Sequence, residues 1–280
     1  MSKEHISLSA AILAYLGSCE ERNCEPATLR SYRGTLDSLT AHVGESASLQ
    51  SLSTKRLNAF LRSLDLKPSS KAKVVTHLKG FFKYANRQGL LTSSPAELLD
   101  RPRFKLTEER EPYTADEVDS ILATCRSPHE RALVLLMLHT GLRVSDAVAF
   151  RSDKLKDGCA WVRAKKNGRE VPVMLPAAVL GELRVLSCGE WLFAANGQPP
   201  SLKAWQHTLE RIYRESGVAG AINHRFRHTL CSRLLANGAT IQDCADILGI
   251  SSQVAEHHYS KWTQDRMERI KWLTGILTGD

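Results

Sequence analysis

Between Thr92 and Glu111 the sequence carries Ser93-Ser94-Pro95, Arg101-Pro102-Arg103 and a charged run from Lys105 to Glu111. Proline cannot donate a backbone hydrogen bond and a run of charges resists burial, so this stretch reads as an exposed connection. It divides the 280 residues into a first unit over residues 1–91, a linker over 92–112 and a second unit over 113–280. There is ample chain on either side to bury a core.

The first unit shows helical spacing only. Ser7 to Glu20 is amphipathic, and Leu29, Tyr32, Leu36 and Leu39 repeat along one face from Thr28 to Val43. A third helix starts behind Ser53 and Thr54 and ends before Pro68. The fourth, from Ser70 to Gln88, is stopped by Gly89 and has two faces. Val74, Leu78, Phe81, Phe82 and Ala85 form an apolar stripe, and Lys71, Lys79, Lys83 and Arg87 a basic one. A charged stripe is ordinarily a solvated outer face. Here no acid interrupts Lys67 to Arg87. Like charges four residues apart repel, and a phosphate backbone would relieve them. Residues 1–105 hold 16 Lys and Arg against 9 Asp and Glu, so nearly all of the chain's net charge of +8 lies there. That imbalance suggests a polyanion such as nucleic acid.

The second unit mixes helices with a little β structure. Thr114 and Glu117 form the Thr-x-x-Glu pattern of a capping box. Pro128 to Thr140 is a strongly apolar, buried helix that Gly141 breaks, and a short helix follows from Val144. Ala160 to Ala164 and Glu170 to Met174 read as strands joined by Lys165-Lys166-Asn167-Gly168, a hairpin signal. Further helices are expected at Pro176 to Leu186, Leu202 to Arg214, Arg225 to Ala236, Ile241 to Leu248, Gln253 to Tyr259 and Gln264 to Leu277. The fold class is therefore mainly α with a small β-sheet (α+β).

Several function classes fall away. No run approaches the 18 or more apolar residues of a membrane span, so no membrane partner is expected. Lys3, Glu4 and His5 open an amphipathic segment, which is not how a signal peptide begins. The seven cysteines are odd in number and scattered, which suits free thiols in a reducing, cytoplasmic setting. Cys19 and Cys24 lack a second close pair, so no structural zinc is expected.

Four sets of residues call for chemistry. Arg143 stands at the start of a helix in Thr140-Gly141-Leu142-Arg143-Val144-Ser145-Asp146, where a cation opposes the helix dipole and hints at a bound anion. Lys165 and Lys166 occupy the hairpin turn, ordinarily a place for solvated lysines. In His224-Arg225-Phe226-Arg227-His228, residues His224, Arg227 and His228 share a helical face. His257-His258-Tyr259 ends the next-to-last helix, where a tyrosine is usually packing. Each set alone has a plain structural explanation.

Together, in order and spacing over about 120 residues, they resemble the tyrosine recombinase family of phage-integrase type. Thr140 to Asp146 looks like the family's first arginine box, His224 to Arg227 like its His-x-x-Arg box, and Leu248-Gly249 with Tyr259 like its final box. The helical first unit fits the family's core-binding domain in size and position. Two departures stand out. Ile250 occupies the place of a histidine or tryptophan that donates a hydrogen bond to phosphate, and isoleucine cannot donate. The hairpin is short: Lys166 fits the Lys-x-Gly turn and Lys165 the distance back from Pro172, with Lys166 preferred.

The resemblance implies that Arg143 and Arg227 hold a scissile phosphate with charge-assisted bonds. His224 adds a hydrogen bond and helps take the proton of Tyr259. Tyr259 attacks to give a 3′-phosphotyrosine, and the hairpin lysine protonates the departing 5′-hydroxyl. The covalent link keeps the phosphodiester energy, so neither cofactor nor metal is implied. Asp146 orients a basic neighbour or caps the short helix, and His228 stands as a secondary site residue. The implied partner is double-stranded DNA, gripped between the two domains, with four identical protomers on two duplexes. The final helix would dock on a neighbour through Leu273, Ile276 and Leu277. Integration of a mobile element, dimer resolution and cassette movement all fit, with or without accessory proteins. Two alternatives use the same residues: a catalytically silent DNA-binding relative, to which Ile250 points, and a type IB topoisomerase-like enzyme.

Overall fold

The computed structural model describes residues 6–103, 111–155, 159–163, 168, 170–186, 189–194 and 198–259. The chain divides into two compact units, Met1–Thr107 and Glu108–Asp280.

The first unit is built from α1 (Leu8–Glu21), α2 (Pro26–Val43), α3 (Thr54–Ser63) and α4 (Pro68–Arg87). Ser7 and Ser53 accept hydrogen bonds from the amides of Ala10 and Arg56 and so start α1 and α3. Proline opens α2 and α4, where its missing N–H costs nothing. Leu8, Leu16, Leu36, Leu39, Phe60, Leu78, Phe81 and Phe82 fill the core. On α4 the buried valine is Val75, with Val74 half-buried at the edge of the stripe. The packed chain continues past residue 91. Ala96 and Leu99 are buried in the same core, and the Thr54 hydroxyl donates to the Pro95 carbonyl at 2.8 Å. The early part of the stretch between the units is thus held against the first.

The second unit comprises α5 (Ala115–Ala123), α6 (Pro128–Thr140), α7 (Val144–Val148), a hairpin of β1 (Cys159–Arg163) and β2 (Glu170–Met174), α8 (Ala177–Val185), α9 (Leu202–Glu215), α10 (Asn223–Ala236), α11 (Ile241–Leu248) and α12 (Ser252–Tyr259). The capping box of α5 is formed: Glu117 N–H donates to the Thr114 hydroxyl oxygen at 3.2 Å and Thr114 N–H to the Glu117 carboxylate at 2.9 Å. In α6, Ala132 to Leu138 are all buried, which makes this helix the centre of the main core. The strands pair antiparallel, with Arg163 opposite Glu170 and Trp161 opposite Pro172. Arg211 joins Glu130 of α6 at 2.6 Å to Glu215 at 2.8 Å. A second, smaller core holds Cys231, Leu235, Cys244, Ala245, Leu248, Ala255 and Tyr259 from α10, α11 and α12.

This is the mainly α architecture with one small sheet that the periodicity predicts. Among the described residues no helix is long and apolar enough to cross a membrane. The two turn lysines, Lys165 and Lys166, and the helix expected from Gln264 to Leu277 lie outside the described residues.

Candidate active site

Arg143 is placed by the way α6 stops. Gly141 takes the left-handed conformation (φ 60°), and a Cβ there would fall 2.6 Å from Leu248 Cδ2 and 3.0 Å from Leu230 Cδ2. Glycine therefore meets two demands at once, a backbone angle and a close approach. The Thr140 hydroxyl donates to the Leu136 carbonyl at 2.5 Å and accepts from Leu142 N–H at 3.2 Å, which fixes the turn. The chain then enters α7 with Arg143 as its extended N-terminal residue, half-buried.

Arg227 lies on α10 and is only 3% exposed. Its Nη1 donates to the Gly141 carbonyl, and its Nη2 to the Leu248 carbonyl at 2.7 Å. Both carbonyls belong to helix C-terminal ends, of α6 and α11, which lack intrahelical donors and carry the negative pole of the helix. That placement compensates a buried cation. It does so incompletely: burial first, then the charge of Arg143, pull the Arg227 pKa down to about 10, while Tyr259 and Asp146 work in the other direction. Guanidinium has five N–H groups, and no further hydrogen bond of Arg227 is formed among the described residues. A desolvated arginine with donors to spare, beside a second arginine, suits an anion.

Tyr259 ends α12 and is 2% exposed. Burial raises its pKa, and the positive charges of Arg227 and Arg143 pull it back. The phenol thus shares one electrostatic site with both arginines. His224 is exposed on α10, one turn from His228, with ring centroids 5.0 Å apart. His228 is buried, and its ring meets that of Tyr259 at 5.5 Å. Asp146 is buried in the first turn of α7, and its charge supports the protonated form of Arg227.

Ile250 is half-buried and packs against the small core that holds Tyr259. It follows Gly249, whose φ is also 60° and whose Cβ would fall 2.5 Å from Val171 Cγ2 of β2. The hairpin therefore abuts the end of α11 through Val171, close to its turn.

Three features were not legible in the boxes. The first is the pair of carbonyls that hold Arg227. The second is the ring of His228 between His224 and Tyr259, for which the four-residue spacing was the available signal. The third is Arg225, which has no place in the site. It bonds Glu117 at 2.8 Å and the Glu111 and Ala219 carbonyls at 3.0 Å, and stacks 4.0 Å over Tyr113.

The basic stripe sits on the first unit. Lys83 and Arg87 are exposed and Lys71 and Lys79 half-buried. Among the described residues the first unit forms no ion pair; every one lies in the second. Among the described residues its cations thus have no carboxylate partner within 4.0 Å. No group of three or more His, Cys, Asp or Glu among the described residues is arranged to hold a metal ion.

Both units resemble known proteins. Residues 112–266 match the phage integrase family and residues 13–89 the phage integrase N-terminal SAM-like domain. Tyrosine recombinase XerC of Rhodospirillum centenum (strain ATCC 51521 / SW) is 30% identical, over 86% of this chain and 79% of its own length. Tyrosine recombinase XerD of Rhizobium meliloti (strain 1021) is 26% identical over 88% of each chain. A lambda integrase dimer bound to a COC′ core site superposes with a TM-score of 0.79 at 21% identity, covering 95% of this chain and 79% of that one. A lambda integrase tetramer bound to a Holliday junction gives 0.75 at 21% identity, covering 89% and 79%. With both units matched, the chain belongs to the phage integrase family and is a tyrosine recombinase, an enzyme of DNA strand cleavage and rejoining.

Proposed function

We propose that this chain is a site-specific recombinase that cuts DNA through a 3′-phosphotyrosine on Tyr259. The observation that carries the reading is Arg227, buried with two of its five N–H groups bonded to the Gly141 and Leu248 carbonyls, its charge acting with that of Arg143 on the buried phenol of Tyr259. An entering phosphodiester supplies the missing negative charge. Its non-bridging oxygens take the remaining donors of Arg227 and those of Arg143. The two cations favour phenolate over phenol, and exposed His224 helps take the proton. Tyr259 oxygen bonds to phosphorus, the bond to the 5′-oxygen breaks, and Lys166 gives that oxygen its proton. A 5′-hydroxyl, from the partner duplex in recombination, reverses the step and releases Tyr259. The sequence of bonds conserves energy, so no cofactor enters.

Lys71, Lys79, Lys83 and Arg87 bind the DNA backbone in this reading, since among the described residues none of them is ion-paired. In this reading the protein works in the cytoplasm as four protomers on two duplexes; a lambda integrase tetramer bound to a Holliday junction is among its structural neighbours. Ile250 favours one second reading, a DNA-binding relative without cleavage, because an apolar side chain stands where a donor is expected.

One experiment separates them. The protein is mixed with DNA from its source, the reaction is stopped with SDS, and the protein-linked ends are sequenced. Adducts at defined positions, absent with Tyr259→Phe, are expected. Adducts that persist in that variant would remove Tyr259 from its role, and tight binding without any adduct would favour the silent relative.

A further inference from the structure

We propose that His228 is a positioning residue for strand cleavage, an inference that rests on Tyr259 being the nucleophile. Its imidazole stands between the two groups assigned to the tyrosine proton. The rings of His228 and His224 lie 5.0 Å apart at 81°, and those of His228 and Tyr259 5.5 Å apart at 61°. Both are edge contacts, the arrangement aromatic rings prefer. Among the described residues, His228 is the one ring that touches both groups. It is 9% exposed whereas His224 is open to solvent. A buried ring of this kind acts on its neighbours and leaves the phosphate to them.

Tyr259 needs such a neighbour. Its ring is 2% exposed, so its direction is set by the side chains packed against it. One side of its ring lies against the small core with Cys231, Cys244 and Leu248. Ring edges meet it as well, that of His228 and that of His258, the latter at 6.2 Å between centroids. Of these two, His228 also meets His224, one turn away on α10. The acceptor and donor of the proton then face the same phosphate from a fixed separation. Catalysis is sensitive to such spacing: a misplacement of about 1 Å costs on the order of a hundredfold in rate.

The test is single-turnover cleavage of a duplex that carries a position mapped by SDS trapping with the wild-type chain. DNA affinity and thermal unfolding are measured on the same preparations. His228→Ala should lower the cleavage rate about 10- to 100-fold with affinity within about twofold. His228→Phe keeps a ring of similar shape without ring nitrogens and should restore the rate to within a few-fold of wild type. Where the alanine variant does not fold, His228→Leu takes its place and should be equally slow. Two results overturn the proposal: cleavage at the wild-type rate in His228→Ala, or a folded His228→Phe as slow as His228→Ala, which would make the ring nitrogens the working atoms. Failure of the nucleophile assignment looks different. In that case the wild-type chain forms no adduct, or Tyr259→Phe still forms one, and the inference falls with it.

Discussion

Arg227→Gln separates a functional cation from a structural strut. Burial and the nearby charge of Arg143 hold Arg227 at about 10 against its ordinary 12.5. Below pH 10 the side chain is charged in both the folded and the unfolded chain, so the folded chain carries the whole penalty. That penalty is about 3 kcal/mol, and it fades only as pH climbs from about 10 towards 12.5. A neutral glutamine escapes it. Against this, the Gly141 and Leu248 carbonyls lose their donors, at about 1–3 kcal/mol for each left unmet, and the glutamine amide can serve one of them. The opposing effects leave stability within about 2 kcal/mol of wild type. For a unit of this size that is a Tm change of at most roughly 8 °C. Cleavage should respond very differently, dropping about 100- to 1,000-fold as one preorganised donor is lost. Thermal unfolding and SDS-trapped adduct formation on the same preparation read both quantities. A fall in Tm well beyond that range, with cleavage reduced only in proportion to the unfolded fraction, would refute the reasoning and make Arg227 a strut.

Gly141→Ala should destabilise by about 2–4 kcal/mol, the combined cost of a left-handed alanine and of overpacking, because its Cβ would fall 2.6 Å from Leu248 Cδ2. An unchanged denaturant midpoint would mean that the Leu248 turn moves aside freely. Replacing Lys79, Lys83 and Arg87 together by glutamine should flatten the dependence of log affinity on log salt by about 2.7; an unaltered slope would take the stripe off the DNA. Lys166→Ala should slow cleavage of ordinary DNA and recover on a 5′-thiol leaving group that needs no proton. The same behaviour in Lys165→Ala instead would move the general acid by one residue.

The helices were legible because their signals are local. Thr114 and Glu117 advertise a cap through residue type and spacing alone, and the bonds form as the pattern requires. The core face of α4 was legible to within one position. A stripe read from Leu78, Phe81, Phe82 and Ala85 fixes the helix rotation loosely enough that Val74 and Val75 both fit, and packing selects Val75. The extent of the connection between units was harder. Ser94, Pro95 and Glu97 look like surface chain, yet Ala96 and Leu99 between and beyond them are buried. Two isolated apolar residues carry no periodic signal, so only the tertiary fold reveals them. Arg225 and Arg227 show the same limit in the site. They are two residues apart and identical in type, and the helix points them in different directions. One becomes a tie to Glu117 and Tyr113, the other the buried cation beside Tyr259.

What the boxes could not convey is why they lie where they do. The backbone carbonyl has no residue type, so the holding of Arg227 by Gly141 and Leu248 leaves no direct mark in the sequence. Its indirect mark is two glycines. Gly141 lets the end of α6 approach Leu248, and Gly249 lets the end of α11 approach Val171 of the hairpin. A side chain at Gly141 would separate the chain ends that Arg227 joins, and one at Gly249 would push the end of α11 off the hairpin. Bringing two helix C-terminal ends together concentrates negative potential at one point, and that is where a guanidinium can be buried with only part of its charge uncompensated. The remainder is available to a phosphate. On this argument Gly141 and Gly249 belong to the chemistry as much as to the fold: they create the place where a cation can be both desolvated and held.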